Sequence, residues 1–189
     1  YKRQLFLSLG VYLLPGMFKT SDGKSQRPAG AVYAWVDAFL LPEPKHLGWG
    51  TDLHDAIAKV RKEGKPKPII IDFTGVTCTN CSYNENTVFP QAKVNDLLNQ
   101  FERVQLYTDW LPAELYATDP GEEAREDEGR LNKKFKIAAF GTDQLPLYVV
   151  LLPIADGKVQ VLGVYQEGKI NSPDKFAAWL KDSLAKAKK

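Results

Sequence analysis

The run Pro68-Ile69-Ile70-Ile71-Asp72-Phe73-Thr74 constrains this chain more than any other stretch. Side chains alternate between the two faces of a strand, and here both faces are apolar except at Asp72. Such a strand suits the middle of a sheet covered by helices on both sides. The only two cysteines follow directly, as Cys78-Thr79-Asn80-Cys81, ahead of a stretch with helical spacing. A strand that turns into a helix at this point puts the first sulfur at a helix N-terminus. Free N–H groups and the positive dipole end stabilise a thiolate there. A thiolate attacks disulfides, and a second cysteine three residues on resolves the mixed disulfide. The leading expectation is therefore dithiol–disulfide chemistry.

The remaining pattern supplies the rest of an α/β domain. Thr51 or Asp52 is a plausible N-cap for a helix carrying Leu53, Ile57 and Val60, ended by Gly64. The C-x-x-C helix runs over residues 79–88. Pro90 interrupts, and a second helical piece carries Val94, Leu97, Leu98 and Phe101. Residues 103–109 alternate like a strand. Residues 147–152 and 158–165 read as two strands joined at Asp156-Gly157, a hairpin signal. Pro173 suits the first turn of a closing helix with Phe176, Trp179, Leu180 and Leu184. Early strands joined by helices pair in parallel, and the hairpin adds antiparallel strands. The expected fold is α/β, a central mixed β-sheet flanked by helices.

Between the second and third strands stands the cluster Glu122, Glu123, Glu126, Asp127 and Glu128, read as a solvated loop leading into a helix through Leu131 and Phe135. Its position over residues 119–128 makes it an insertion of open role. Residues 1–47 form an N-terminal extension, and residues 48–189 the compact domain. Within the extension, residues 4–18 are strongly apolar after Lys2 and Arg3, yet short for a membrane span, which needs about 20 residues. They read either as membrane-proximal or as an element packed on the domain. Residues 31–41 read as a short buried helix.

Composition excludes several classes. The chain has 189 residues, 25 basic and 23 acidic, and a net charge of +2, which gives no argument for nucleic acid. One cysteine pair is no disulfide framework. Only His46 and His54 could join the sulfurs around zinc, at no recognised spacing, so no metal is expected.

Two acids accompany the dithiol. Asp72 lies six residues before Cys78 in an apolar strand, where burial would raise its pKa and let it exchange a proton with Cys81. Glu85 lies four residues after Cys81, on the same helical face. A second acid there would raise thiol pKa values, though a solvated helix-face glutamate is as ordinary a reading.

With Asp72-Phe73, the C-x-x-C and a distant Leu145-Pro146 before a strand, the chain resembles the thioredoxin-like superfamily. Within it, IDFTGVTCTNC, Glu85 with Val88-Phe89, LYTDW at residues 106–110 and LPLYVVLLP at residues 145–153 are most similar to the C-terminal periplasmic domain of the DsbD family of transmembrane thiol:disulfide interchange proteins. The resemblance spans roughly residues 50–187 and implies a thioredoxin-like fold. It implies that Cys78 attacks and Cys81 resolves, that Asp72 and Glu85 manage protons, and that Pro146 is a cis-proline. Together with Leu145, Thr79 and Asn80, that proline would shape a groove for an extended partner segment. Thr77 stands where thioredoxins often have Trp, and Thr79-Asn80 lacks the His of strong oxidants, which favours a reductant.

The implied function is a protein-disulfide reductase and electron relay, needing no cofactor beyond the Cys78–Cys81 pair. A membrane-embedded dithiol domain would supply electrons, and disulfide-bearing proteins or domains would receive them. The setting implied is the bacterial periplasm, tethered to the inner membrane, with a place in cytochrome c biogenesis and a monomeric state. The alternatives are a free-standing tethered reductase or isomerase, and a non-catalytic peptide-binding module with a structural disulfide.

Overall fold

A computed structural model describes residues 2–14, 48–64, 67–154 and 157–188. Helix α1 (Lys2–Leu13) is followed, within the compact part, by α2 (Leu53–Lys62), β1 (Ile69–Thr74), α3 (Thr79–Thr87), α4 (Ala92–Leu98) and β2 (Glu102–Tyr107). A short 3-10 turn (Ala113–Leu115) leads to α5 (Glu122–Phe140), β3 (Leu147–Pro153), β4 (Val159–Tyr165) and α6 (Pro173–Lys186). The expected helix at residues 31–41 lies outside the described residues, as does Asp156 of the expected turn. No helix among the described residues is long and apolar enough to cross a membrane.

The sheet has the order β2-β1-β3-β4. Strand β1 pairs parallel with β2 and antiparallel with β3, and β3 pairs antiparallel with β4. The isoleucine run is thus an inner strand with all six residues buried, as its two-sided apolarity requires. Gly50 extends the sheet beyond β2 through an isolated parallel bridge to Val104.

Alternation along β1 divides the core. Ile69, Ile71 and Phe73 join Ala56 and Val60 of α2 on one face. Ile70 joins Val88, Phe89, Val94, Leu98, Phe176 and Leu180 on the other, under α3, α4 and α6. Asp72 has the parity of Ile70, so its side chain points to the face that α3 covers.

Local signals account for the boundaries. Asp52 is the N-cap of α2, its Oδ1 accepting from the backbone of His54 (2.6 Å) and Asp55 (3.0 Å). Ser172 caps α6, with Pro173 in the first turn. Gly141 ends α5 in the left-handed conformation (φ 69°), which an L side chain rarely adopts. The acidic cluster faces solvent as expected, but it is helical and not a loop. Glu122 and Glu123 form the first turn of α5, where carboxylates favour the positive helix end, and the helix runs on for 19 residues.

The face on which α5 packs is also unlike its pattern. Leu131 is 64% exposed, whereas Gly129 and Lys136 are buried. Gly129 is needed because a Cβ there would come within 2.0 Å of the Asp109 carbonyl oxygen. Phe135 is partly exposed, yet its ring lies tilted 5.9 Å from that of Phe73 and edge-on 6.1 Å from that of Phe140.

Candidate active site

Cys78 is the N-cap of α3, and its Sγ accepts from the backbone N–H of Cys81 at 3.2 Å. The two sulfurs are bonded to each other in this structure. Cys78 is half-exposed, whereas Cys81, one turn inside the helix, is 1% exposed. A nucleophile arriving from solvent or from a partner therefore meets the first sulfur. The helix-terminal position supplies the N–H groups and dipole that favour its thiolate.

The loop leading to Cys78 is anchored from the segment that follows β2. Asp109 Oδ2 accepts from Thr77 N (3.2 Å) and Thr77 Oγ1 (3.4 Å). Its other oxygen accepts from Trp110 N at 2.8 Å. Gly75 leaves room for that carboxylate, since a Cβ there would lie 3.0 Å from Oδ2. The Asp109 backbone in turn rests against Gly129 of α5.

Beneath α3 a polar row crosses the sheet. Asp72 pairs in register with Gln105 on β2 and with Tyr148 on β3. Asp72 is fully buried. Its Oδ2 accepts from Gln105 Nε2 at 3.3 Å, and its Oδ1 has no protein hydrogen-bond partner. Burial pushes its carboxyl well above the usual range, and the nearby Glu85 charge adds to the rise. Glu85, half-buried on α3, accepts from the same Gln105 nitrogen at 3.0 Å and from Thr74 Oγ1 at 3.4 Å. The carboxylate is therefore tied into the row beneath the helix, and a solvated surface position does not describe it.

Asn84 fixes the other end. Its Nδ2 donates to Tyr148 Oη (2.9 Å) and Gly168 O (3.0 Å), and its Oδ1 accepts from Ile170 N (2.9 Å). Burial holds the Tyr148 phenol well above its ordinary pKa, with Asp72 contributing, so the hydroxyl stays neutral. The loop carrying Gly168 passes the segment before β3, where a Cβ at Gly168 would meet Gln144 Nε2 at 3.0 Å. In that segment the Leu145–Pro146 peptide is cis and Pro146 is buried. Thr79 and Asn80 are exposed on the first turn of α3.

The structure thus places the cysteines, Asp72 and Glu85 on one side of the sheet. Sequence reading missed Gln105, Asn84, Asp109 and Tyr148. Strand register carries the signal for Gln105 and Tyr148, since both pair with Asp72. Among the described residues, no group of three or more His, Cys, Asp or Glu side chains could hold a metal ion.

The fold is thioredoxin-like. The solution structure of a thioredoxin from Thermus thermophilus superposes with a TM-score of 0.51 at 17% identity, covering 74% of this chain and 88% of that one. A DsbH oxidoreductase (TM-score 0.48, 16% identity, 77% of this chain and 92% of that one) is also similar. So is a disulphide isomerase from Xylella fastidiosa Temecula1 (TM-score 0.44, 22% identity, 79% and 98%). No protein-family model matches the chain, and comparison with curated proteins gives no match.

Proposed function

We propose that this chain is a thiol–disulfide oxidoreductase acting as a reductant. The observation that carries the reading is the contrast between a half-exposed Cys78 at a helix N-terminus and a buried Cys81 on the helix whose Glu85 is joined to Asp72 through Gln105. In the reduced protein the Cys78 thiolate attacks one sulfur of a partner disulfide. A bond forms from Cys78 to the partner, and the partner's other sulfur leaves as a thiolate. Cys81 gives up its proton to the carboxyl network, and its thiolate attacks Cys78. The partner leaves with both sulfurs reduced, protonated by the proton that the carboxyl network returns and by one from solvent, and the Cys78–Cys81 disulfide now holds the oxidised state. Two electrons pass to the partner, and no further redox group is involved.

The exposed first turn with Thr79 and Asn80, together with Leu145 and Pro146, forms the groove in which an extended partner segment lies. The resemblance in residues 50–187 extends this reading to a relay. A membrane-embedded dithiol reduces Cys78–Cys81, which then reduces disulfide-bearing proteins or domains. Its setting is the bacterial periplasm, with an inner-membrane tether and a role in cytochrome c biogenesis.

The test is Cys81→Ser. With a model disulfide protein it should accumulate a mixed disulfide through Cys78, released by dithiothreitol. A Cys81→Ser protein that turns over like the wild type would sink the mechanism.

A further inference from the structure

Asp72 and Lys136 are the two charged side chains among the described residues with no exposed surface. The chemistry above uses only the first. Lys136 lies one turn before the end of α5. Its Nζ donates to the carbonyl oxygens of Asp143 (2.9 Å) and Gln144 (3.2 Å) and stands 3.5 Å from Asp143 Oδ1. An ammonium has three N–H donors, and here three oxygens surround it. Burying an amine is costly unless its donors are met, and an apolar side chain would fill the same volume without that cost. What an apolar residue could not do is hold two successive backbone carbonyls.

Those carbonyls belong to the two residues before Leu145–Pro146. Gly168 lies beside Gln144 and Leu145, and Asn84 holds the Gly168 carbonyl to α3. The segment is therefore bonded to α5 through Lys136 and lies beside a loop that Asn84 ties to the helix carrying the cysteines. We infer that Lys136 is a positioning residue for the partner groove: it fixes the Leu145–Pro146 segment where an extended protein substrate docks, and it touches neither substrate nor sulfur. This rests on the groove reading given under Proposed function. It assigns Lys136 to the choice of polypeptide disulfides over small ones, because a small thiol or disulfide reaches Cys78 without the groove.

Two assays separate these roles: insulin reduction by the reduced protein, and reduction of the Cys78–Cys81 disulfide by dithiothreitol. In Lys136→Met the KM for insulin should rise about tenfold, the scale of one lost charge-assisted hydrogen bond. The kcat, the dithiothreitol rate and the reduction potential should stay at wild-type values. Asp143→Ala keeps both backbone bonds and should keep the wild-type KM. Should Lys136→Met lack a cooperative melt, Lys136→Gln, whose amide reaches less far, undergoes the same assays with the same expectation. A folded variant with unchanged KM overturns the inference, as does a parallel fall of insulin and dithiothreitol rates. A wild type unable to reduce insulin overturns both this inference and the function on which it rests.

Discussion

Asp72 and Glu85 accept hydrogen bonds from one and the same nitrogen, Gln105 Nε2, at 3.3 and 3.0 Å. One acid lies in the central strand and the other on the helix above it. The shared donor couples the proton state of the buried acid to the helix that carries both cysteines.

The first consequence is a pH dependence of stability. Burial, then the Glu85 charge, raises Asp72 in the folded state, while in the unfolded chain it titrates near an ordinary value of about 3.9. From there up to its folded value, the folded protein holds a proton that the unfolded chain has released. Stability contributed by Asp72 is thus full at low pH and lost as pH rises, by up to about 1.4 kcal/mol per pH unit. Asp72→Asn lacks this loss. Urea unfolding of the oxidised proteins from pH 4 upward should show the variant gaining on the wild type toward neutrality. Parallel curves would contradict the assignment.

Gln105→Leu removes the one hydrogen bond that lowers the Asp72 pKa. The Asp72 titration should move to higher pH, read by carbon-13 NMR of its side-chain carboxyl. Stability at neutral pH should fall by about 1–3 kcal/mol, the cost of leaving a buried polar group without its partner. An unmoved titration would show that the bridge carries no coupling.

The exposure contrast between the sulfurs predicts their reactivity. In the reduced protein, iodoacetamide should modify Cys78 faster than Cys81 by about an order of magnitude or more, since thiolate character and access together set the rate. Peptide mapping after brief alkylation distinguishes the two. Equal modification would remove the basis for separate attacking and resolving roles.

Gly129→Ala tests the seat of the loop before Cys78. The new methyl would meet the Asp109 carbonyl, which is backbone and cannot rotate away. A loss of about 1–3 kcal/mol is expected in urea unfolding, as for other overpacked sites. Alkylation of Cys78 should change in the same protein, because Asp109 anchors Thr77. An unchanged midpoint and an unchanged Cys78 rate would contradict that coupling.

Much of the fold was legible because local and global signals agree. The isoleucine run required a covered inner strand, the hairpin and the Pro173 helix followed from turn and cap residues, and the C-x-x-C fell at a strand-to-helix junction. Helix α5 was legible only in part. Its apolar Leu131 faces outward while Gly129 and Lys136 turn inward, because at those two positions the helix meets backbone carbonyls, and Phe135 and Phe140 reach the core through Phe73. Periodicity reads apolar faces, so a helix packed through a glycine and a lysine escapes it. The polar row beneath α3 was hidden for another reason. Gln105 and Tyr148 reach Asp72 through strand register, and register follows from pairings that spacing along the chain does not reveal.

The central claim is that Cys78–Cys81 is an exchanging dithiol. Equilibration in glutathione and dithiothreitol buffers, read by thiol alkylation, measures its reduction potential directly. The account predicts reversible exchange at a potential toward the reducing end of the range from about −270 to about −120 mV found among dithiol oxidoreductases. A value near −120 mV would make the chain an oxidant, and one below about −300 mV without exchange, as for structural disulfides, would contradict the claim itself.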